Sequence, residues 1–269
     1  MLPHEEYIEQ AYFFRSLRER MDKDHASQEL IRVLRQEILS TTNLPMALDY
    51  LYGELKLTGG FATAMAKLSH YFTPFQTLVV AEAERLDGKF DFRIGLEVLQ
   101  KEAEYRGEEK CSRQGVFLYQ FEAICRNRLG YEEGLAAVAQ DPIFDTDWHD
   151  WILSVSRDVG YIDFCEMIYR KSEFFKQKEA EENFVALFGE KEGKIAHANR
   201  GGDLVFLFTA LQRHLGYPKV PRPTPEDNSQ FLLPMLIQRV ERMDMRLNLI
   251  EEELRGGINI TSHYKKDED

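Results

Sequence analysis

Apolar side chains recur at alternating spacings of three and four residues through most of the first 178 positions. This spacing places them on one face of an α-helix, so each run predicts an amphipathic helix that packs against a core. The clearest runs are Leu44, Leu48, Leu51 and Leu55, followed by Phe61, Met65, Leu68 and Phe72. The sequence therefore predicts a mainly α-helical, multi-helix body that extends over residues 1–216.

Successive helices of this body are predicted to stack in pairs, in a solenoid-like manner. The fragment from Leu129 to Ala139 resembles part of a tetratricopeptide repeat, in which two helices form each unit. An array of that family needs at least three stacked repeats to bury its faces, and the chain carries one such fragment. We therefore interpret the resemblance as helix-pair stacking within one compact domain and not as membership of the family.

The segment Thr73–Pro74–Phe75–Gln76 predicts the start of one of these helices. Thr73 is suited to the N-cap, Pro74 to the first helical position, and Gln76 to the third, where it completes a capping box. We expect this helix to continue to about Leu86, before the turn at Asp87 and Gly88.

The helical pattern is interrupted near residue 184. Residues 184–188 and 194–198 are two short apolar runs, and the residues between them begin at Gly189 and end at Gly193. Short apolar runs around a glycine-bounded turn are typical of a β-hairpin, which we predict at residues 184–198. The alternative is that the first run simply ends the preceding helix.

The C-terminal part of the chain carries a three-heptad apolar seam after a proline-rich segment. Four prolines fall within residues 217–228 and predict an extended linker at 217–229. The a and d positions of the following helix, predicted at 230–255, are Leu233, Leu236, Val240, Met243, Leu247, Ile250 and Leu254. A sustained a/d seam predicts a coiled coil. We expect residues 256–269 to form a flexible charged tail.

Charges beside this seam support self-association. Arg239 and Arg246 fall at g positions, and Asp244 and Glu251 fall at the following e positions, where opposite charges face each other in a parallel homodimer. Further apolar residues lie off the seam, namely Met235, Ile237, Met245 and Leu249. The alternative is therefore that this helix packs on its own domain.

Composition narrows the classes of partner. The 269 residues carry a formal net charge of −12, which disfavours nucleic-acid and anionic-membrane binding because both require positive surface. The first ten residues do not combine a basic segment with an apolar one, so we expect no signal peptide. No apolar run approaches the roughly 18 residues of a membrane-spanning helix. We therefore expect a cytoplasmic protein.

The polar residues with the strongest claim to a functional role are few. Asp145, Asp147 and His149 lie in a dense acidic segment, but the segment departs from a calcium loop at its turn glycine and its closing glutamate. His70 lies in an aromatic-rich segment, and Arg200 precedes a helix start where an anion can bind. Capping and ordinary surface solvation are the alternatives for all five. No metal or cofactor signature emerges, and we expect none.

These patterns favour a protein–protein interaction role. We expect a non-enzymatic helical scaffold or adaptor that binds a protein partner or a second copy of itself, and that oligomerises through the seam. The alternative is an enzyme or small-ligand-binding protein whose site is assembled from residues that are distant in sequence.

Overall fold

The computed structural model describes residues 2–21, 27–85, 90–179 and 184–222. Within these ranges the chain forms thirteen α-helices and no β-strand, which confirms the mainly helical class. The first seven helices are α1 (His4–Arg20), α2 (Ser27–Glu37), α3 (Leu44–Thr58), α4 (Phe61–Lys67), α5 (Pro74–Glu84), α6 (Phe92–Arg106) and α7 (Arg113–Asn127). The other six are α8 (Tyr131–Ala139), α9 (Thr146–Asp158), α10 (Phe164–Arg170), α11 (Glu173–Glu179), α12 (Glu190–Ala198) and α13 (Leu204–Leu215).

Local side-chain caps explain where several helices begin. The capping box predicted for α5 is confirmed: the Gln76 amide donates to Thr73 Oγ1 at 3.3 Å, and the Thr73 amide donates to Gln76 Oε1 at 3.1 Å. Asp91 and Ser112 accept hydrogen bonds from the first turns of α6 and α7 in the same way. Each cap satisfies an amide that has no partner within its helix.

Aromatic side chains around α7 form the centre of the core. The Phe117 ring lies 5.0 Å from Trp151 and 5.6 Å from Trp148, measured between ring centroids. Phe121 stacks on Phe164 of α10 at 4.0 Å. Both tryptophans of the chain are buried in α9, and their rings are perpendicular to each other. Edge-to-face and offset stacking of this kind adds specificity to apolar burial.

The predicted hairpin at residues 184–198 is wrong. Residues 190–198 form α12, and residues 184–187 lie in an irregular segment. The amides of Leu187 and Phe188 donate to the Lys171 carbonyl at 2.8 and 3.0 Å, which joins this segment to the connection between α10 and α11. Gly193, expected in a turn, lies inside α12, where a Cβ would come 2.2 Å from Ser172 Oγ. The glycine allows close helix packing, a tertiary requirement that the local pattern does not reveal.

The first residues of the predicted linker lie against the helical body. Residues 217–222 are non-helical, and the Tyr217 hydroxyl donates to Glu192 Oε1 at 2.5 Å. The Tyr217 ring contacts Tyr105 edge-on, and Val220 is buried in the core. The predicted seam from Leu233 to Leu254, the rest of the linker and the predicted tail lie outside the described residues.

In the described part of the chain, no helix combines the length and the apolar character that a membrane crossing requires.

Candidate functional site

A groove of about 600 Å³ opens between α1, α6 and the end of α2. The helix α1 packs along α6 and contributes one wall. The lining consists of Ile8, Glu9, Ala11, Tyr12 and Arg15 from α1, Glu37 and Leu39 from the end of α2, and Ala103, Glu104 and Gly107 from the end of α6. The groove is therefore assembled from three segments that are distant in sequence.

Apolar side chains are exposed in this groove. Ile8 is 50 % exposed and Leu39 is 57 % exposed, although both are large enough to gain from burial. Small residues form the opposite wall, namely the buried Ala103 and Gly107, where an added Cβ would make only an ordinary contact with the Tyr7 side chain at 3.6 Å. The arrangement leaves apolar surface open to an incoming chain.

Carboxylates surround the apolar surface. The Tyr12 hydroxyl donates to Glu37 at 2.6 Å, and the Arg20 guanidinium binds both oxygens of Glu37 at 2.6 and 2.9 Å. The hydrogen bonds from Arg20 and Tyr12 lower the pKa of Glu37 below its ordinary value, so this carboxylate stays ionised. Glu9 accepts a hydrogen bond from the Leu39 amide at 3.2 Å.

A network of buried charges begins one residue before the groove residue Gly107. Arg106 donates to Glu102 at 2.9 and 3.2 Å and also binds Asp141, which follows α8. Gln120 of α7 donates to Glu102 at 2.7 Å and to Asp141 at 3.2 Å. The ion-paired side chains are each 1 % exposed. Burial raises the pKa of Glu102, and the nearby Arg106 opposes that effect. The network holds α6, α7 and the segment after α8 together.

The structure places His70 next to this network. His70 lies in the turn between α4 and α5 and not on a helix, and its side chain is exposed. It lines a pocket of about 90 Å³ together with Tyr7, Tyr71, Arg106 and Asp141. The Tyr71 hydroxyl donates to the buried Glu6 at 2.7 Å, and burial is the main cause that raises the pKa of Tyr71. The pocket is polar and small.

The acidic segment before and within α9 serves mainly to start that helix. Asp145 is the N-cap and accepts from the Trp148 amide at 3.1 Å. Asp147 lies in the first turn, where its charge favours the helix dipole. His149 Nδ1 lies 3.2 Å from Asp150. No group of three or more potential metal ligands is arranged to hold an ion among the residues that the structure describes.

Arg200 is engaged within the chain. Its guanidinium pairs with Glu166 at 3.0 Å, contacts His197 Nε2 at 2.7 Å and lies over the Tyr169 ring. Asp203 caps α13 by accepting from the Val205 amide. These contacts favour a structural role for Arg200.

The predicted polar candidates do not converge on one site. His70 lines the small pocket, Asp147 lines a different surface pocket of about 430 Å³, and Arg200 contacts α10 and α12. The sequence reading missed the network of Arg106 and Glu102. Their spacing of four residues resembles an ordinary exposed helix pair, and only the contact with Asp141, 35 residues away, distinguishes it.

No protein-family model, curated protein or solved structure matches this chain. The chemistry of the groove, of the small pocket and of the exposed surfaces is therefore the basis for a functional assignment.

Proposed function

We propose that the chain is a helical adaptor that binds a partner protein in the groove between α1 and α6 and self-associates through residues 233–254. The observation that supports partner binding is the exposure of Ile8 and Leu39 on the walls of one concave site. Exposed apolar side chains that gather in a groove with a polar rim mark interaction sites. Support for self-association comes from the sequence seam alone.

The lining favours a partner segment that combines apolar side chains with a basic residue. The volume of about 600 Å³ admits several side chains, and Ile8 and Leu39 offer them apolar contact. Glu9 and Glu37 line the same groove and can accept charge-assisted hydrogen bonds from an arginine or a lysine. Arg15 repels a cation at its own position, which favours one orientation of the bound segment.

Selection of peptides on the full chain tests partner binding. We expect a displayed library of random peptides to yield sequences with apolar residues and at least one Lys or Arg. Binding of these peptides should be lost in Ile8→Asp and Leu39→Asp, because each substitution places a charge on the apolar wall. Phe206→Asp is the matched control, since Phe206 is 63 % exposed on α13, outside the groove. Selected peptides that bind both groove variants as tightly as the unchanged chain would contradict the proposal.

Light scattering on the full chain tests self-association through the seam. Leu247→Glu places a charge at a central a position, and we expect the mass to fall to that of a smaller assembly. A substitution at an outward seam-helix position, Gln238→Glu, adds the same charge and should leave the mass unchanged. An equal mass for all three proteins would argue against assembly through residues 233–254.

The small pocket beside Arg106 supports the rival proposal, a small-ligand site. Its volume of about 90 Å³ accommodates only a few water-sized groups. The Arg106 guanidinium is already bound by Glu102 and Asp141, which reduces its capacity to attract an anion. We therefore favour the groove as the functional site.

A further inference from the structure

The outward side of α3 carries an exposed stripe of large apolar side chains, in which the Tyr50 hydroxyl donates a hydrogen bond to Glu54 of the same helix. Met46 is 68 % exposed, Tyr50 is 39 % exposed and Leu57 is 81 % exposed. Together with Gly53, these residues follow one line along the helix, because steps of three and four residues return to the same side. We call these four residues the α3 outer face.

The fold does not need the α3 outer face. A separate stripe on the same helix provides its contacts with the core, and all of its members are buried: Leu44, Ala47, Leu48, Leu51 and Leu55. The helix is therefore apolar on two sides, of which one is satisfied within the chain. An apolar stripe that is exposed along a whole helix marks an interaction surface.

The α3 outer face is complementary to itself when two copies are antiparallel. Met46 and Leu57 are equally distant from the midpoint between Leu51 and Tyr52, and so are Tyr50 and Gly53. A two-fold axis at that midpoint therefore places Met46 opposite Leu57 of the second copy, and Tyr50 opposite its Gly53. In such an isologous interface each contact occurs twice.

Gly53 provides the space that the Tyr50 ring requires. It lies in the middle of α3, where glycine lowers helix stability by about 0.5–1 kcal/mol relative to alanine. Among the residues that the structure describes, no atom lies within 4 Å of the position of a Cβ at Gly53. Packing within the body therefore does not explain this glycine, whereas an aromatic ring from a second copy fits the gap.

Charges beside the stripe favour the same arrangement. Asp49, which pairs with Arg35 of α2 at 2.5 Å, and Lys56, which lies over the Tyr52 ring, are on the same flank of the α3 outer face. A two-fold axis between antiparallel helices brings that flank against itself. Asp49 of one copy then lies about two residues, or roughly 3 Å along the axis, from Lys56 of the other. Side chains of this length bridge such an offset. A parallel pair would bring opposite flanks together and lose this contact.

We propose that the α3 outer face is an interface that binds a second copy of this chain, with the two α3 helices antiparallel. The interface is separate from the seam at 233–254 and goes beyond the proposed adaptor function. Three large side chains per copy bury less than the roughly 800 Å² per partner of a standard interface. The contact is therefore weak by itself and links copies at micromolar or higher concentration.

Sedimentation of the full chain across a concentration series tests this interface. Leu57→Glu and Met46→Glu each place a charge opposite an apolar side chain of the second copy. Because the interface is symmetric, this unfavourable contact occurs twice. Loss of one buried leucine contact weakens binding by about tenfold, so the two equivalent contacts predict a Kd raised by about 100-fold. Phe206→Glu is the matched control on α13 and should leave the Kd unchanged.

Charge reversal separates a true interface from local damage. Lys56→Glu places two carboxylates opposite each other and should raise the Kd by about threefold or more, as expected for exposed pairs. Asp49→Lys alone breaks the ion pair with Arg35 and places two lysines opposite each other, so it should also raise the Kd. The double variant restores opposite charges across the axis and should return the Kd toward that of the unchanged chain. A structural defect would not be reversed by a second substitution.

The outcomes distinguish this interface from the seam. A Kd that rises in both apolar α3 variants and recovers in the charge-reversed double variant supports the proposal. Unchanged assembly in Leu57→Glu and Met46→Glu overturns it, whatever the effect of Leu247→Glu on the seam. Circular dichroism on each variant verifies that the exposed substitutions leave the helical fold intact.

Discussion

Apolar side chains are usually buried and charged side chains are usually exposed, and two regions of the body depart from this rule in opposite ways. Around Arg106, a guanidinium and two carboxylates are almost completely buried. On the α3 outer face, three large apolar side chains are exposed. The buried charges find their partners within the chain, whereas the exposed apolar side chains are not covered by any of the residues that the structure describes. The atypical burial thus accompanies ion pairing within the chain in the first region, and in the second it is the basis of the proposed contact with another copy.

The largest expected effect comes from removing the central charge of the buried network. Arg106→Met leaves Glu102 and Asp141 buried without a counter-charge, and we expect a loss of about 3–5 kcal/mol in the free energy of unfolding. Urea unfolding followed by circular dichroism measures it. Arg113→Met removes an exposed partner of Asp145 and should lose less than about 1 kcal/mol. Similar losses in both variants would show that burial does not determine how much an ion pair contributes to the free energy of unfolding.

A pair of glycine substitutions compares close packing with open surface. Gly193→Ala brings a methyl group into Ser172 and Phe174, and we expect unfolding to become easier by about 1–3 kcal/mol. Gly53→Ala has space for its methyl group and should stabilise the monomer by about 0.5–1 kcal/mol. The same Gly53→Ala change should weaken self-association, because it fills the gap opposite Tyr50. Effects of the same sign on monomer stability at both sites would contradict this comparison.

The smallest expected effect is a change in pH dependence. Burial raises the pKa of Glu102 above its ordinary 4.5, so its contribution to stability is present below that pH and is lost as pH rises toward the folded-state pKa. Glu102→Gln mimics the protonated group and should gain stability relative to the unchanged chain as pH rises above 4.5.

Glu37→Gln is the control for that measurement, because the pKa of Glu37 is shifted in the opposite direction from that of Glu102. Hydrogen bonds from Arg20 and Tyr12 lower the pKa of Glu37, so its contribution is present above pH 4.5 and is lost as pH falls. Free energies of unfolding measured from pH 4 to pH 8 compare the three proteins. Parallel curves for Glu102→Gln and the unchanged chain would rule out the raised pKa.

Local signals in the sequence predicted local structure correctly. The capping box of Thr73 and Gln76 depends on residues three apart, and the buried stripe of α3 depends on helical spacing, so both are visible without the fold. The error at residues 184–198 has the opposite origin. Short apolar runs fit a strand or a helix equally well, and the close packing of Gly193 on Ser172, which accompanies the helix, is not a local signal.

The candidate sites were less accessible to sequence reasoning than the fold. The groove joins Ile8, Leu39 and Gly107, and the buried network joins Arg106 to Asp141, so neither produces a compact motif. The exposed face of α3 leaves a readable signal in Met46 and Leu57, which break the amphipathic pattern of that helix. That signal becomes informative only when the side of the helix that faces the core is known.

The location of both tryptophans has a consequence for spectroscopy. Trp148 and Trp151 share α9 and lie against Phe188, so the intrinsic fluorescence of the chain originates from this one part of the core. Loss of the core should shift their emission to longer wavelength as water reaches the indoles. A peptide in the groove or a second copy on α3 would leave the emission unchanged, so the groove and the α3 outer face each need a fluorophore of their own.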